Sequence, residues 1–346
     1  MISAPATDHA RLRKALGPGF SQNYVRSQEP VIMKHIDSLI NILHKESNKG
    51  KDLNLPVKLA EWINFTAFDI MGDLAWGVSF NCLSTGSYHP WILVASWYKG
   101  LLFGVTLKLY PLLGAPVGLI TPPSAKAGVA IVIETSKTNL THRLKRSNER
   151  PDLMSSLLRY NEKIIVNFST IIVGGSDPLT SVVAGCFTYM LRKPEVLACV
   201  ESEIRSSFKS ENEINVESTK KLIYLHVVLL EALRLCPPVP DSIRRAAKKE
   251  GMEISGYNIP GDIVVGVTVY AALRAVRTFT SPDEFLPERW LDSDFNILEY
   301  PGFYPFGFGP RSCPGQALAW AEMNLLVAKL LWNFDIRDTK ERTVRP

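Results

Sequence analysis

Residues 304–323 read YPFGFGPRSCPGQALAWAEM, and the chemistry available there centres on Cys313. Pro314 suits a first helical turn, because its missing N–H would have had no intrahelical partner. This spacing predicts Cys313 at a helix N-terminus, where free N–H groups and the macrodipole favour an anion and lower a thiol pKa. Gly307, Gly309 and Gly315 carry no side chain, so a flat ligand can approach their backbone closely. Arg311 can meet an acidic edge of such a ligand. A thiolate without His or Cys neighbours suits one axial position on a haem iron better than tetrahedral zinc. The competing reading of a lone cysteine is a structural thiol buried beside a glycine turn.

The elements expected to position this loop are mainly helical. Residues 24–47 place Ile32, Ile36, Leu39, Ile40 and Leu43 on one stripe, with Gly50 as a stop signal. Further helices are expected over 57–76, 125–148, 163–191, 194–208, 222–235 and 314–333. The period changes in MEISGYNIPGDIVVGVTVYAA, which reads as strand, tight turn and strand, with Pro260-Gly261 at the turn.

The 346 residues are 46% hydrophobic and 21% charged, an ordinary globular composition that fits one continuous domain over 1–346. The net charge of +5 comes from scattered Lys and Arg, which argues against nucleic acid as a partner. The five cysteines show no CxxC pairing, as expected of reduced thiols facing the cytosol. MISAPATDHARLRK has no apolar core of a secretory signal. The apolar stretch 101–120 contains Lys108, Pro111 and Pro116, and is expected to be buried or to graze a membrane rather than span it.

With Phe306, Gly309, Arg311, Cys313 and Gly315 in one ten-residue pattern, the sequence resembles the cytochrome P450 superfamily, the haem-thiolate monooxygenases. The resemblance runs from residue 8 to about residue 337 and implies a mainly α fold with a small β-sheet component. It makes Cys313 the axial ligand of haem b. Glu231-Ala-Leu-Arg234 matches the family's ExxR helix; by spacing alone the two residues share a helix face and can pair, and a solvated ion pair is the plain alternative. In PDEFLPERWL, Arg289 looks like the third member of a Glu–Arg–Arg clamp leading to the cysteine loop. DHARLRKALGPGFS resembles the helix that reaches the haem propionates, here through His9 and Arg13, and Arg245 in DSIRRAA looks like a further propionate partner. The wording of SYHPW, PDEFLPERWL and GYNIPGDIVVG is most similar to filamentous-fungal members that serve secondary metabolism.

One motif departs from the family. In IIVGGSDPLTSVVAG, Gly174, Gly175 and Asp177 match the small–Gly–acid run, but Pro178 stands where a threonine is usual. Proline has no hydroxyl to offer a proton path and removes one helix hydrogen bond, at a cost of roughly 3 kcal/mol in an ordinary context. Asp177 is then the candidate relay, with Ser176 or Thr180 contributing, against the alternative of a solvated or capping carboxylate. The ends are expected to lack the family's N-terminal anchor region and its C-terminal hairpin.

The resemblance places Val173, Gly174, Val239 and Pro240 around the substrate, and their small apolar character suits a lipophilic terpenoid or polyketide-like molecule. Core packing accounts for them nearly as well. No dinucleotide or flavin fingerprint is present, so electrons are expected from NADPH through NADPH-cytochrome P450 reductase. Arg11, Arg13 and Lys14 could offer that partner a basic face. The family setting implies the cytosolic face of the endoplasmic reticulum membrane, with peripheral contact. Two other readings stay open: a haem-thiolate isomerase or dehydratase, which would tolerate Pro178, and a shortened, inactive remnant.

Overall fold

The computed structural model describes residues 6–53, 56–95, 123–145, 153, 164–241, 244–291 and 302–339. Its long helices follow the expected apolar periods. After α1 (Ala6–Leu16) and a 3-10 turn over Gly17–Phe20 come α2 (Gln22–Ser27), α3 (Glu29–Leu53), α4 (Leu59–Trp76), α5 (Cys82–Thr85) and α6 (Pro90–Ala95). The series continues with α7 (Pro123–Lys145), α8 (Ile164–Arg192), α9 (Pro194–Ser207), α10 (Val216–Thr219) and α11 (Ile223–Leu235). Two more follow among the described residues, α12 (Val269–Ala272) and α13 (Gln316–Asn333).

The helix expected over 24–47 is two. It breaks at Gln28, whose carbonyl accepts the N–H groups of Val31 and Ile32, and Pro30 sits in the first turn of α3, where its missing N–H costs nothing. The predicted stripe is correct: Ile32, Ile36, Leu39, Ile40 and Leu43 are all buried. The stop is not. α3 runs through Gly50 to Leu53, because one glycine weakens a helix by only about 1 kcal/mol.

The core is built on α4, buried on nearly every side from Ile63 to Trp76, packed against α8, with α3 and α13 joining it. Residues 170–192 of α8 are long and apolar enough to cross a membrane, yet 44% of its apolar 18-residue stretch is buried in this core. A smaller cluster of Val227, Leu230, Leu273, Phe279, Trp290 and Phe303 lies beside α11.

Among the described residues the β-component is two antiparallel pairs. β1 (Arg245–Ala246) pairs with β4 (Val264–Val265), and β2 (Met252–Ile254) pairs with β3 (Tyr257–Ile259). The tight turn is Ser255-Gly256, not Pro260-Gly261. Both of its central residues have positive φ, 52° and 83°, as the type I′ hairpin requires. Pro260-Gly261 follows β3 and brings the backbone so near Lys249 that a methyl group on Gly261 would lie 2.1 Å from that residue's carbonyl oxygen. The stretch 101–120 falls outside the described residues.

Candidate functional site

The loop before α13 closes on itself. Cys313 N–H donates to Phe306 O at 2.7 Å and Ser312 N–H to Gly309 O at 3.0 Å. Gly307 and Gly309 take φ of 72° and 73°, a region that disfavours any side chain, and a methyl group on Gly309 would meet no atom within 4 Å. Phe306 is half-buried against the core, 6.0 Å from the Trp320 ring.

Cys313 does not occupy the helix terminus itself. Gly315 is the N-cap of α13, so Cys313 and Pro314 precede it. Nor is the thiol lowered as expected. Burial against the surrounding protein raises its pKa, while a hydrogen bond from the Gly315 backbone and the charge of Arg13 oppose that rise. The side chain is nevertheless open to solvent on its free side, so it is not the buried structural thiol of the plain alternative. A cleft of about 680 Å³ beside the loop is lined by Arg13, Phe20, His226, Ser312, Cys313 and Trp320.

Cations gather next to it. Arg13 donates to the Ser312 carbonyl and, at 3.2 Å, to its hydroxyl, tying α1 to the cysteine loop. His9 is only 7% exposed, and its pKa is lowered by burial and then by the charges of Arg311, Arg13 and Arg245. The charges of three arginines, on α1, on β1 and in the loop, thus act on one imidazole. Such a cluster calls for an anion. The two carboxylates of haem b fit it, as the open glycines fit a porphyrin face and a lone accessible thiol fits one axial position. Among the described residues, no group of three or more His, Cys, Asp or Glu could hold a metal by itself. Arg11 lies on the exposed side of α1, 3.7 Å from Asp8.

The Glu–Arg–Arg cluster is no solvated pair. Glu231 and Arg234 are both fully buried. Glu231 accepts from Arg234 Nε at 2.9 Å and Nη2 at 2.8 Å, from Arg289 Nε at 3.2 Å, from Leu286 N–H at 2.9 Å, and from Trp290 Nε1 at 2.8 Å. Arg234 also donates to the carbonyls of Leu273 and Glu284, each at 2.9 Å, and Arg289 to those of Thr280 and Ser281. Trp290 was not singled out from sequence, although the PERW wording contained it.

On α8, Pro178 is accommodated within a continuous helix. Gly174 is exposed and a methyl group there would touch nothing within 4 Å, whereas one on Gly175 would strike Met71 of α4. Val173 packs partly against the core. Ser176 is fully buried and its hydroxyl donates to Ile172 O at 2.8 Å, so it is spent within its own helix. The Thr180 hydroxyl likewise donates within its helix, to Ser176 O at 3.1 Å, while Asn64 of α4, a residue the sequence gave no reason to select, donates to both Asp177 and Thr180. Val239 is 56% exposed, and Pro240 O accepts the N–H of Tyr270 at 2.9 Å, drawing the segment after α11 against α12.

A family model described as "Cytochrome P450" matches residues 1–346. Cytochrome P450 monooxygenase astJ of Aspergillus oryzae is 37% identical, over 97% of this chain and 69% of that protein. Averantin hydroxylase of Dothistroma septosporum is 36% identical, over 97% of this chain and 65% of its own length. Trichothecene C-15 hydroxylase of Fusarium sporotrichioides is 33% identical, over 97% and 70%.

Proposed function

We propose, from the premise that the chain belongs to the cytochrome P450 family, that Cys313 is the haem ligand of a secondary-metabolite monooxygenase. The observation that carries the assignment is the closed loop from Phe306 to Cys313, which presents an accessible thiol next to the Gly315 N–H. His9, Arg13, Arg245 and Arg311 would hold the propionates. When bound, a thiolate-ligated haem activates dioxygen with two electrons, so that one oxygen atom enters the substrate and the other leaves as water.

The protein's own groups do the rest. Gly315 N–H and Arg13 stabilise negative charge on Cys313 sulfur. Glu231, Arg234 and Arg289 clamp the segment that leads to the loop. Asp177 holds and passes protons on the α8 side. Val173, Gly174, Val239 and Pro240 form small apolar walls for a lipophilic terpenoid or polyketide-like molecule. P450 enzymes draw electrons from a redox partner; here that partner is NADPH-cytochrome P450 reductase, met at the cytosolic face of the endoplasmic reticulum membrane. The names of two relatives, hydroxylases of averantin and of trichothecene C-15, support hydroxylation as the reaction.

The test is turnover with reductase, NADPH and isotopically labelled dioxygen on a panel of lipophilic metabolites. One labelled oxygen per product, dependent on NADPH, is the expected result. Turnover without NADPH would make the protein an isomerase or dehydratase.

A further inference from the structure

A second polar site lies between α4 and α8. Asn64 is 8% exposed, and its amide donates to Thr180 Oγ1 at 2.9 Å and to Asp177 Oδ1 at 3.3 Å. One side chain from α4 therefore holds the Asp177 carboxylate and anchors on the Thr180 hydroxyl, whose own O–H donates to Ser176 O at 3.1 Å. Beside them lies a cavity of about 430 Å³, lined by Ala60, Glu61, Asn64, Tyr88, Asp177 and Thr180 among others. Ala60 and Glu61 are exposed, so the cavity reaches solvent while Asp177 and Thr180 form its inner wall.

The helix geometry gives this cavity a direction. At 3.6 residues per turn, Asp177 lies about 60° and Thr180 about 120° round α8 from Gly174, on the same side. Gly174 marks the open stripe of the helix. Asp177 thus stands between that stripe and the cavity that opens to solvent. Pro178 lies about 40° to the other side of Gly174. It brings no hydroxyl, and without an N–H it leaves the Gly174 carbonyl without its usual donor four residues on.

We propose that this cavity is the proton inlet of the oxygenation reaction, and that Asn64, anchored on Thr180, is a positioning residue that aims the Asp177 carboxyl group in place of the hydroxyl position 178 lacks. The proposal rests on the monooxygenase reading. The reaction is RH + O2 + NADPH + H+ giving ROH + H2O + NADP+, in which dioxygen takes two electrons and two protons. Asp177 gives up a proton toward the open stripe and is reloaded from water in the cavity. When delivery fails, the same electrons leave by O2 + NADPH + H+ giving H2O2 + NADP+.

The experiment uses the reductase-reconstituted holoenzyme and the variants Asn64→Leu and Thr180→Val. Both are expected to keep the wild-type spectrum of the reduced carbon monoxide complex. Product per NADPH should fall at least fivefold, hydrogen peroxide should rise to match, and the solvent deuterium isotope effect on product formation should increase. Turnover driven by iodosylbenzene, an oxygen-atom donor that needs neither NADPH nor protons, should be unchanged. Independently of turnover, the double variant's loss of melting temperature should be smaller than the sum of the two single losses, because both substitutions remove the same Asn64–Thr180 contact. Wild-type coupling and isotope effect in both variants would overturn the proposal. So would an equal loss of NADPH- and iodosylbenzene-driven turnover, or additive melting shifts. If Asn64→Leu does not fold, Thr180→Val decides alone. A wild-type protein without NADPH-dependent oxygen insertion would instead bring down the monooxygenase reading, and this proposal with it.

Discussion

Trp290 Nε1 donates to Glu231 Oε2 at 2.8 Å in the buried interior, adding an indole to a carboxylate that two arginines already share. The bond fastens the 287–290 turn to α11, so the segment running on toward the cysteine loop has a fixed origin. Glu231 collects five donors, and Arg234 spreads its remaining N–H groups over backbone carbonyls. Every member depends on the others.

Removing the carboxylate strands two buried guanidinium groups. Glu231→Ala is expected to cost about 3–5 kcal/mol, the range for breaking a buried ion pair. Trp290→Phe, which leaves one carboxylate oxygen short of a donor, should cost about 1–3 kcal/mol. Urea unfolding checks both, with the midpoint falling in that order and haem retention falling with it.

Stability should also depend on Glu322. This residue of α13 is 1% exposed, and its Oε1 meets no hydrogen-bond partner among the described residues. Burial pushes its pKa up to about 8. A carboxyl group with a raised folded pKa binds its proton more tightly when folded. Its contribution is therefore fully present below the ordinary carboxyl pKa and is lost as pH rises toward about 8. The slope can reach about 1.4 kcal/mol per pH unit. Melting curves from pH 5 to pH 8 should show the wild type losing stability relative to Glu322→Gln, whose amide does not ionise; parallel curves would refute the assignment.

Pro178 offers a third test. Pro178→Thr restores an N–H for the Gly174 carbonyl and is expected to stabilise α8 by up to roughly 3 kcal/mol. It also returns a hydroxyl to the open stripe. Coupling of NADPH to product should then tolerate Asn64→Leu better in the Pro178→Thr background than in the wild type, measured by the ratio of product to peroxide.

Asp177→Asn keeps the shape and the Asn64 contact in view but removes the exchangeable acid. Product formation per NADPH is expected to fall tenfold or more, with the spectrum of the haem unchanged. An unaffected coupling ratio would assign Asp177 to a capping or solvated role.

Much of the candidate site's loop geometry was legible because each residue type in the cysteine loop has a separate physical task. The glycines permit positive φ and close approach, and the thiol needs an open side. Glu231 and Arg234 were legible as a pair from their spacing, but their burial was not, since the shielding comes from Phe279, Trp290 and Leu273, far along the chain. Trp290 reads as one more apolar residue until its N–H finds an acceptor. Asn64 lies 113 residues from Asp177, and no local pattern marks it. The hairpin was misplaced because Pro-Gly is the stronger turn signal, whereas Ser255-Gly256 satisfies the hairpin twist. The thiol pKa was misjudged because helix-end electrostatics can be read from spacing and desolvation cannot.

The central claim is that Cys313 ligates haem iron as a thiolate. The most direct measurement is the absorption difference spectrum of the dithionite-reduced protein with carbon monoxide, for the wild type and for Cys313→Ser. The account predicts a strongly red-shifted Soret band in the wild type and its loss in the variant. A haem-loaded wild type with an unshifted band, or a shifted band that survives Cys313→Ser, would contradict it.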